Sequence, residues 1–259
     1  MTPPQKVLAA TALAAISLLP FTTHSSRAYE VQPPKPSEHL SEGTLRGTVT
    51  FEGDVPAEKK IDLSADTVCE EQRPHATTEY FPIDDGKVAN VLVYVTSDVL
   101  HKTDSFVSFA GPAVLEQTQC RFKPRVLGMQ IGQPLEIRNS DATHHNTHPS
   151  PKVNGNWNIS QPPFSAVSKS FDRPEVFIPV RCNQHPSERA YLSVFNHPFF
   201  AVTDKSGSYR IDGLPPGSYK VVARHETLGE KTADVTLKGG ASQTVDFGYA
   251  LADISIAKD

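Results

Sequence analysis

A cysteine and a histidine share one short loop, Cys182-Asn183-Gln184-His185-Pro186, and a histidine-rich run, His144-His145-Asn146-Thr147-His148, lies about one strand pair upstream. One thiolate and two imidazoles can define a near-trigonal plane around a metal, with a weak fourth donor on its axis; this donor set suits copper and one-electron chemistry. The Cys-x-x-His spacing keeps thiolate and imidazole at a near-fixed separation, so that a cation meets a preformed plane. His145, Cys182 and His185 are therefore the candidate metal ligands. A soft methionine thioether is a usual weak axial donor for such a plane, whereas the residue three beyond His185 is Glu188. A carboxylate is hard and anionic, favours Cu(II) or Zn(II), and lowers a reduction potential. Glu188 is either the fourth ligand or turns outward toward Arg189.

The remaining candidates read as structural. His225-Glu226 is not the H-E-x-x-H of a zinc protease. His197 reads as a hydrogen-bonded structural residue, and Trp157, between Asn156 and Asn158, as a packing residue. No nucleophile–base pair is identifiable, which points away from an enzyme.

The chain holds three cysteines among 259 residues, Cys69, Cys120 and Cys182. The simplest account of an odd number in an exported chain is a Cys69–Cys120 disulfide with Cys182 kept as thiolate by a metal; the alternative is a free buried Cys182. Export is expected from residues 1–28. Lys6 is the positive start, residues 7–21 are almost wholly apolar, and Ser26-Arg27-Ala28 ends in the small residues of a cleavage site. That run is short against the ~20 residues of a membrane span, so no span is expected in the mature chain; an uncleaved N-terminal anchor is the alternative. Removing Lys6 and Arg27 from the 25 basic residues leaves 23 against 29 acidic ones, a mature charge of about −6. No basic block exists, which argues against nucleic acid as a partner.

The elements that must position these residues are strands. Residues 29–42, rich in Pro and charge, read as a disordered leader. Thereafter short β-branched or alternating runs recur at residues 44–51, 88–95, 125–129, 135–137, 176–181 and 191–195, punctuated by many of the 22 Pro and 15 Gly. Residues 125–138 read as strand–turn–strand; helical periodicity is almost absent, with one short turn near residues 63–72 as the exception. Residues 200–247 read as a meander, with turns at Asp204 to Gly207 and at Pro215-Pro216-Gly217. The fold class is all-β, with two sandwiches.

Thr203-Asp204-Lys205-Ser206-Gly207-Ser208-Tyr209-Arg210-Ile211 followed by Leu214-Pro215-Pro216-Gly217-Ser218-Tyr219 resembles the carboxypeptidase regulatory-like, transthyretin-related sandwich. Residues 122–194 resemble a cupredoxin. Gly132-Gln133-Pro134-Leu135-Glu136-Ile137-Arg138-Asn139-Ser140-Asp141 is similar to that family's strand leading to the first histidine. His145-Asn146-Thr147-His148 and Cys182-x-x-His185-Pro186 resemble the ligand segments of amicyanin-type cupredoxins. With residues 197–204 the pattern resembles exported bacterial methylamine-utilisation or cupredoxin-domain proteins. The resemblance selects His145 over His144, and gives Asn146, His148 and Asn183 supporting roles around the ligands. It implies a Greek-key cupredoxin-like sandwich, residues 106–197, inserted into a transthyretin-like sandwich of residues 43–105 and 198–250, with a tail at 251–259. A serial order of the two domains is the competing arrangement.

The function this implies is that of a periplasmic or secreted mononuclear copper protein, carrying single electrons to a periplasmic redox protein. Copper sequestration, delivery to a copper-handling protein, or non-redox binding is the alternative, which Glu188 favours.

Overall fold

The computed structural model describes residues 42–97, 100 and 109–254. The predicted signal, residues 29–41 of the leader and the end of the tail lie outside the described residues. No helix among the described residues is long and apolar enough to cross a membrane.

The first stretch of chain forms β1 (Gly43–Glu52), α1 (Thr67–Gln72), β2 (Ile83–Asp84), β3 (Lys87–Val88) and β4 (Leu92–Thr96). Alternation along β1 turns Leu45, Val49 and Phe51 into the core. The run predicted as one strand over residues 88–95 is two, because Asn90 takes φ 61° and breaks the extended backbone. Helix α1 lies where the short turn is expected; Asp66 caps it, its Oδ1 accepting from the N–H groups of Val68 at 2.9 Å and Cys69 at 3.2 Å.

The middle of the chain forms β5 (Ala113–Gln117), β6 (Phe122–Lys123), β7 (Val126–Gln130), β8 (Leu135–Asn139), β9 (His145–Pro149), β10 (Ile159–Gln161), β11 (Ser165–Lys169), β12 (Glu175–Arg181) and β13 (Arg189–Phe195). These make two sheets, ordered β10-β9-β12-β13-β7 and β11-β8-β5-β6. The expected strand–turn–strand at 125–138 does not pair with itself: β7 runs parallel to β13, while β8 joins β5 and β11, so residues 131–134 carry the chain from one sheet to the other. Leu115, Met129, Leu135, Ile137, Ile178 and Leu192 fill the space between these sheets.

The last stretch forms β14 (Phe200–Val202), β15 (Ser208–Leu214), β16 (Gly217–His225), β17 (Gly229–Leu237), β18 (Ser242–Thr244) and β19 (Phe247–Ala250). With the first strands they make a sheet ordered β15-β1-β3-β2 and another ordered β14-β4-β16-β17. The expected meander ends at β17. Strands β18 and β19 leave it and lie parallel along β1. Gly47 allows this, since a Cβ there would stand 1.8 Å from the Val245 carbonyl oxygen. The architecture is all-β, four sheets in sandwich-like pairs. A third apolar cluster, Leu92, Tyr94, Val126, Phe177, Phe195 and Val222, joins strands of both pairs.

Candidate metal centre

Strand β12 ends at Arg181 and β13 begins at Arg189, so residues 182–188 are the loop of one hairpin. The loop is tied across its base: the Cys182 N–H donates to the Glu188 carbonyl at 3.2 Å, and the Glu188 N–H to the His185 carbonyl at 2.9 Å. Strand β9 pairs with β12, Arg181 opposite His148, which brings its first residue, His145, under the loop. Asn146 links the two segments. Its N–H donates to Cys182 Sγ at 3.4 Å, and its Oδ1 accepts from the N–H of Asn183 at 2.7 Å and of Gln184 at 3.4 Å.

Cys182, His145, His185 and Glu188 offer four ligand atoms within 4.8 Å of one another. His145 Nδ1 and His185 Nδ1 are 3.0 Å apart, and Glu188 Oε1 lies 3.0 Å and 3.1 Å from them. Cys182 Sγ is 4.0 Å from His145 Nδ1 and 3.6 Å from His185 Nδ1. The Glu188 side chain does not turn toward solvent; it is fully buried. Its Oε2 accepts from Gln117 Nε2 at 2.8 Å, but Oε1, though close to both imidazoles, makes no well-aligned hydrogen bond. A buried carboxylate oxygen needs a cation or a donor facing it, and two imidazole nitrogens, protonated or bound to an ion, stand in that position. A four-coordinate shell with bonds of about 2.0–2.3 Å needs ligand atoms roughly 3.3–3.6 Å apart. The observed 3.0–4.0 Å spread brackets that range. These residues fit a metal ion.

The far ring nitrogens are held as well. His145 Nε2 lies 3.1 Å from Asp141 Oδ2, and His185 Nε2 lies 3.2 Å from Asp66 Oδ2. A carboxylate on one imidazole nitrogen holds the proton there and aims the other lone pair at the centre. Asp66, Asp141 (in this role) and Gln117 were missed from sequence. Gln117 left a signal, since it continues the inward phase of Ala113 and Leu115 along β5.

Without metal, protons take up the charge. Burial opposes protonation of His145, yet the bonds to Asp141, Cys182 and Glu188 outweigh it and push its pKa up to about 11. Burial likewise opposes protonation of His185, and Cys182 and Glu188 push it up to about 10. Burial raises the Cys182 thiol, but the two imidazoles bring it down to about 7. Burial also disfavours the Glu188 carboxylate, and the same imidazoles hold it below its ordinary value. The cluster is a charge-balanced acid–base knot, and a cation can replace its protons.

The other candidates are not among these four converging residues. His148 Nδ1 meets the Asn183 side chain at 3.3 Å on the exposed side of the loop. Asn183 reaches the site through its backbone N–H. His197 Nδ1 accepts the Phe199 N–H, and its ring stacks on Phe195 and Phe199. His225 Nδ1 accepts from the N–H groups of Thr227 and Leu228. Glu226 makes a buried ion pair with Arg125, 2.9 Å at Nη2. Trp157 packs on Phe171, ring centroids 6.1 Å apart. Cys69 and Cys120 form a disulfide, and Cys182 is the free, buried cysteine.

Among known proteins, the carboxypeptidase regulatory-like domain family matches residues 182–250. No curated protein matches the chain. Solved structures with partial likeness include a copper-containing nitrite reductase from Thermus scotoductus SA-01, 17% identical with a TM-score of 0.30, covering 39% of this chain and 27% of that one. An amicyanin mutant in its Cu(I) form is 20% identical with a TM-score of 0.29, covering 39% of this chain and 97% of its own. A purple cupredoxin from Nitrosopumilus maritimus is 16% identical with a TM-score of 0.28, covering 32% of this chain and 98% of its own.

Proposed function

We propose that this chain is an exported mononuclear copper protein that carries single electrons for a periplasmic partner. The carrying observation is the convergence of Cys182 Sγ, His145 Nδ1, His185 Nδ1 and Glu188 Oε1 on one buried point. A copper ion supplies one-electron chemistry, and these residues would hold it. The hairpin loop keeps Cys182 and His185 in register, Asn146 locks the loop to β9, and burial of the donors limits rearrangement, which favours electron transfer over ligand exchange. In this reading residues 106–197 are a cupredoxin-like domain inserted between the two halves, 43–105 and 198–250, of a transthyretin-like one.

A second reading, sequestration or delivery of a divalent ion to a copper-handling protein, draws support from Glu188. Its carboxylate makes the donor set harder than one with a thioether, which suits a divalent ion that is bound without cycling to Cu(I). The experiment is Cu(II) loading of the mature chain with a visible spectrum. An intense thiolate-to-copper band, lost in Cys182→Ala, is expected for the carrier. A weak spectrum with tight binding selects sequestration, and binding unaffected by Cys182→Ala would sink both.

A further inference from the structure

The disulfide stands directly behind the metal cluster, and both of its cysteines address the carboxylates that hold the histidines. The Cys69 N–H donates to Asp66 Oδ1 at 3.2 Å, while Asp66 Oδ2 accepts from Thr143 Oγ1 at 2.6 Å and faces His185 Nε2 at 3.2 Å. The Cys120 N–H donates to Asp141 Oδ2 at 2.8 Å, and that same oxygen faces His145 Nε2 at 3.1 Å. The cysteine sulfurs and a Glu188 carboxylate oxygen lie within 4.8 Å of one another. Both cysteines are fully buried. One covalent bond therefore links two arms, each ending on one imidazole, which also meet through the Thr143 hydroxyl on Asp66.

The arms differ in what else supports them. Asp141 lies in the turn after β8, where its own N–H donates to Asn139 Oδ1 at 3.0 Å and its Oδ1 accepts the Gln119 N–H at 2.7 Å. Asp66 starts the six-residue helix α1, far too short to stand alone. The apolar cluster beneath that helix is Leu63, Ala76 and the two disulfide cysteines, with Ile61 packed on it. Half of the buried members of that cluster are thus the cross-link itself. Opening the disulfide removes half of the packing under α1 and leaves that arm tied by the Thr143 hydroxyl and by Arg73, whose Nη1 donates to the Cys120 carbonyl at 3.3 Å, while Asp141 keeps its bonds with Asn139 and Gln119.

We infer that the Cys69–Cys120 disulfide is a covalent brace of the metal centre, with Asp66 as the positioning residue through which it acts on His185. The inference rests on the metal-site reading above. Reduction by a dithiol breaks one S–S bond; two electrons and two protons pass to Cys69 and Cys120, and the reductant becomes a disulfide. Asp66 then leaves His185, the ring loses its orientation, and the ion is held less tightly.

The test uses the full mature chain, with Zn(II) as a redox-silent probe in chelator competition and imidazole NMR on the metal-free protein. Asp66→Asn and Cys69→Ser/Cys120→Ser are each expected to weaken Zn(II) by roughly 10- to 100-fold, the usual weight of a carboxylate behind a ligating histidine. Their combination should add little, because both act through one carboxylate. In metal-free Cys69→Ser/Cys120→Ser protein, the hydrogen-bonded Nε2–H signal of His185 should vanish while that of His145 persists, a split that general destabilisation would not produce. Asp66→Asn keeps the disulfide and covers the case in which the cysteine variant fails to fold. Unchanged Zn(II) affinity in both variants, additive losses, or equal loss of both imidazole signals would overturn the brace. If the wild type binds no Zn(II) through Cys182, the metal-site reading fails, and the NMR split still decides whether the disulfide positions His185.

Discussion

Replacing Glu188 by glutamine tests the centre at its most unusual member. The substitution preserves volume and leaves an amide oxygen to accept from Gln117 Nε2, now 2.8 Å from the carboxylate. It removes one negative charge from a fully buried position 3.0 Å and 3.1 Å from two imidazole nitrogens. Unit charges about 3 Å apart attract by about 5.5 kcal/mol at an effective dielectric near 20. Removing one partner of a buried pair costs about 3–5 kcal/mol in practice, since the other is left uncompensated. In the metal-free protein this loss falls on the protonated histidines, so the titrations of His145, from about 11, and His185, from about 10, move down. In the loaded protein it falls on the ion. At about 1.4 kcal/mol per decade, Zn(II) or Cu(II) affinity should drop by roughly two to three and a half decades. The copper reduction potential should rise, because a neutral donor no longer favours the higher charge. Imidazole NMR titration, chelator competition and voltammetry read the three effects. Unchanged histidine titrations together with unchanged affinity would refute the argument, since no carboxylate at these distances could be lost silently.

Other consequences follow from different parts of the molecule. Uptake of Zn(II) at pH 7 should release at least one proton per ion, because His145 and His185 hold protons there without metal. Affinity should accordingly rise with pH; calorimetry in buffers of differing ionisation enthalpy measures the release, and none would mean that the ion binds elsewhere. Burial holds His225 neutral, its pKa down to about 3, so the unfolded chain gains a proton below about 6.5 that the folded chain refuses. This one group should remove about 2–3 kcal/mol of stability between pH 7.5 and 4.5, and His225→Asn should flatten that part of a urea-midpoint profile. Gly128→Ala would set a Cβ 2.5 Å from the Phe200 ring, which stacks on Phe195 where the two pairs of sheets meet. A loss of about 1–3 kcal/mol in denaturant unfolding is expected, and a neutral result would mean that this junction is loosely packed.

What could be read from sequence, and what could not, divides by range. Cys182, His185 and Glu188 lie within one hairpin loop, so spacing alone proposes them as a set; His145 and Asn146 are neighbours on the strand that pairs beside it. The strands were legible for the same reason, since alternation is local. Strand partners were not. Nothing in residues 242–250 announces that they lie parallel along β1, two hundred residues earlier, because a parallel pair has no turn to mark it. The carboxylates behind the histidines illustrate this most sharply. Asp66 is separated from His185 by 119 residues, and before a short helix an aspartate reads as an N-cap. It is an N-cap, through Oδ1. The reading is correct and half complete, because a carboxylate has two oxygens and the second serves an imidazole in another part of the chain. The disulfide makes that reach possible by bringing α1 to Cys120, next to the loop that bears Asp141. A cross-link inferred from an odd cysteine count thus carries more than chain entropy. On the inference above it also helps set which carboxylate meets which histidine, through the Cys69 and Cys120 N–H groups that donate to Asp66 and Asp141.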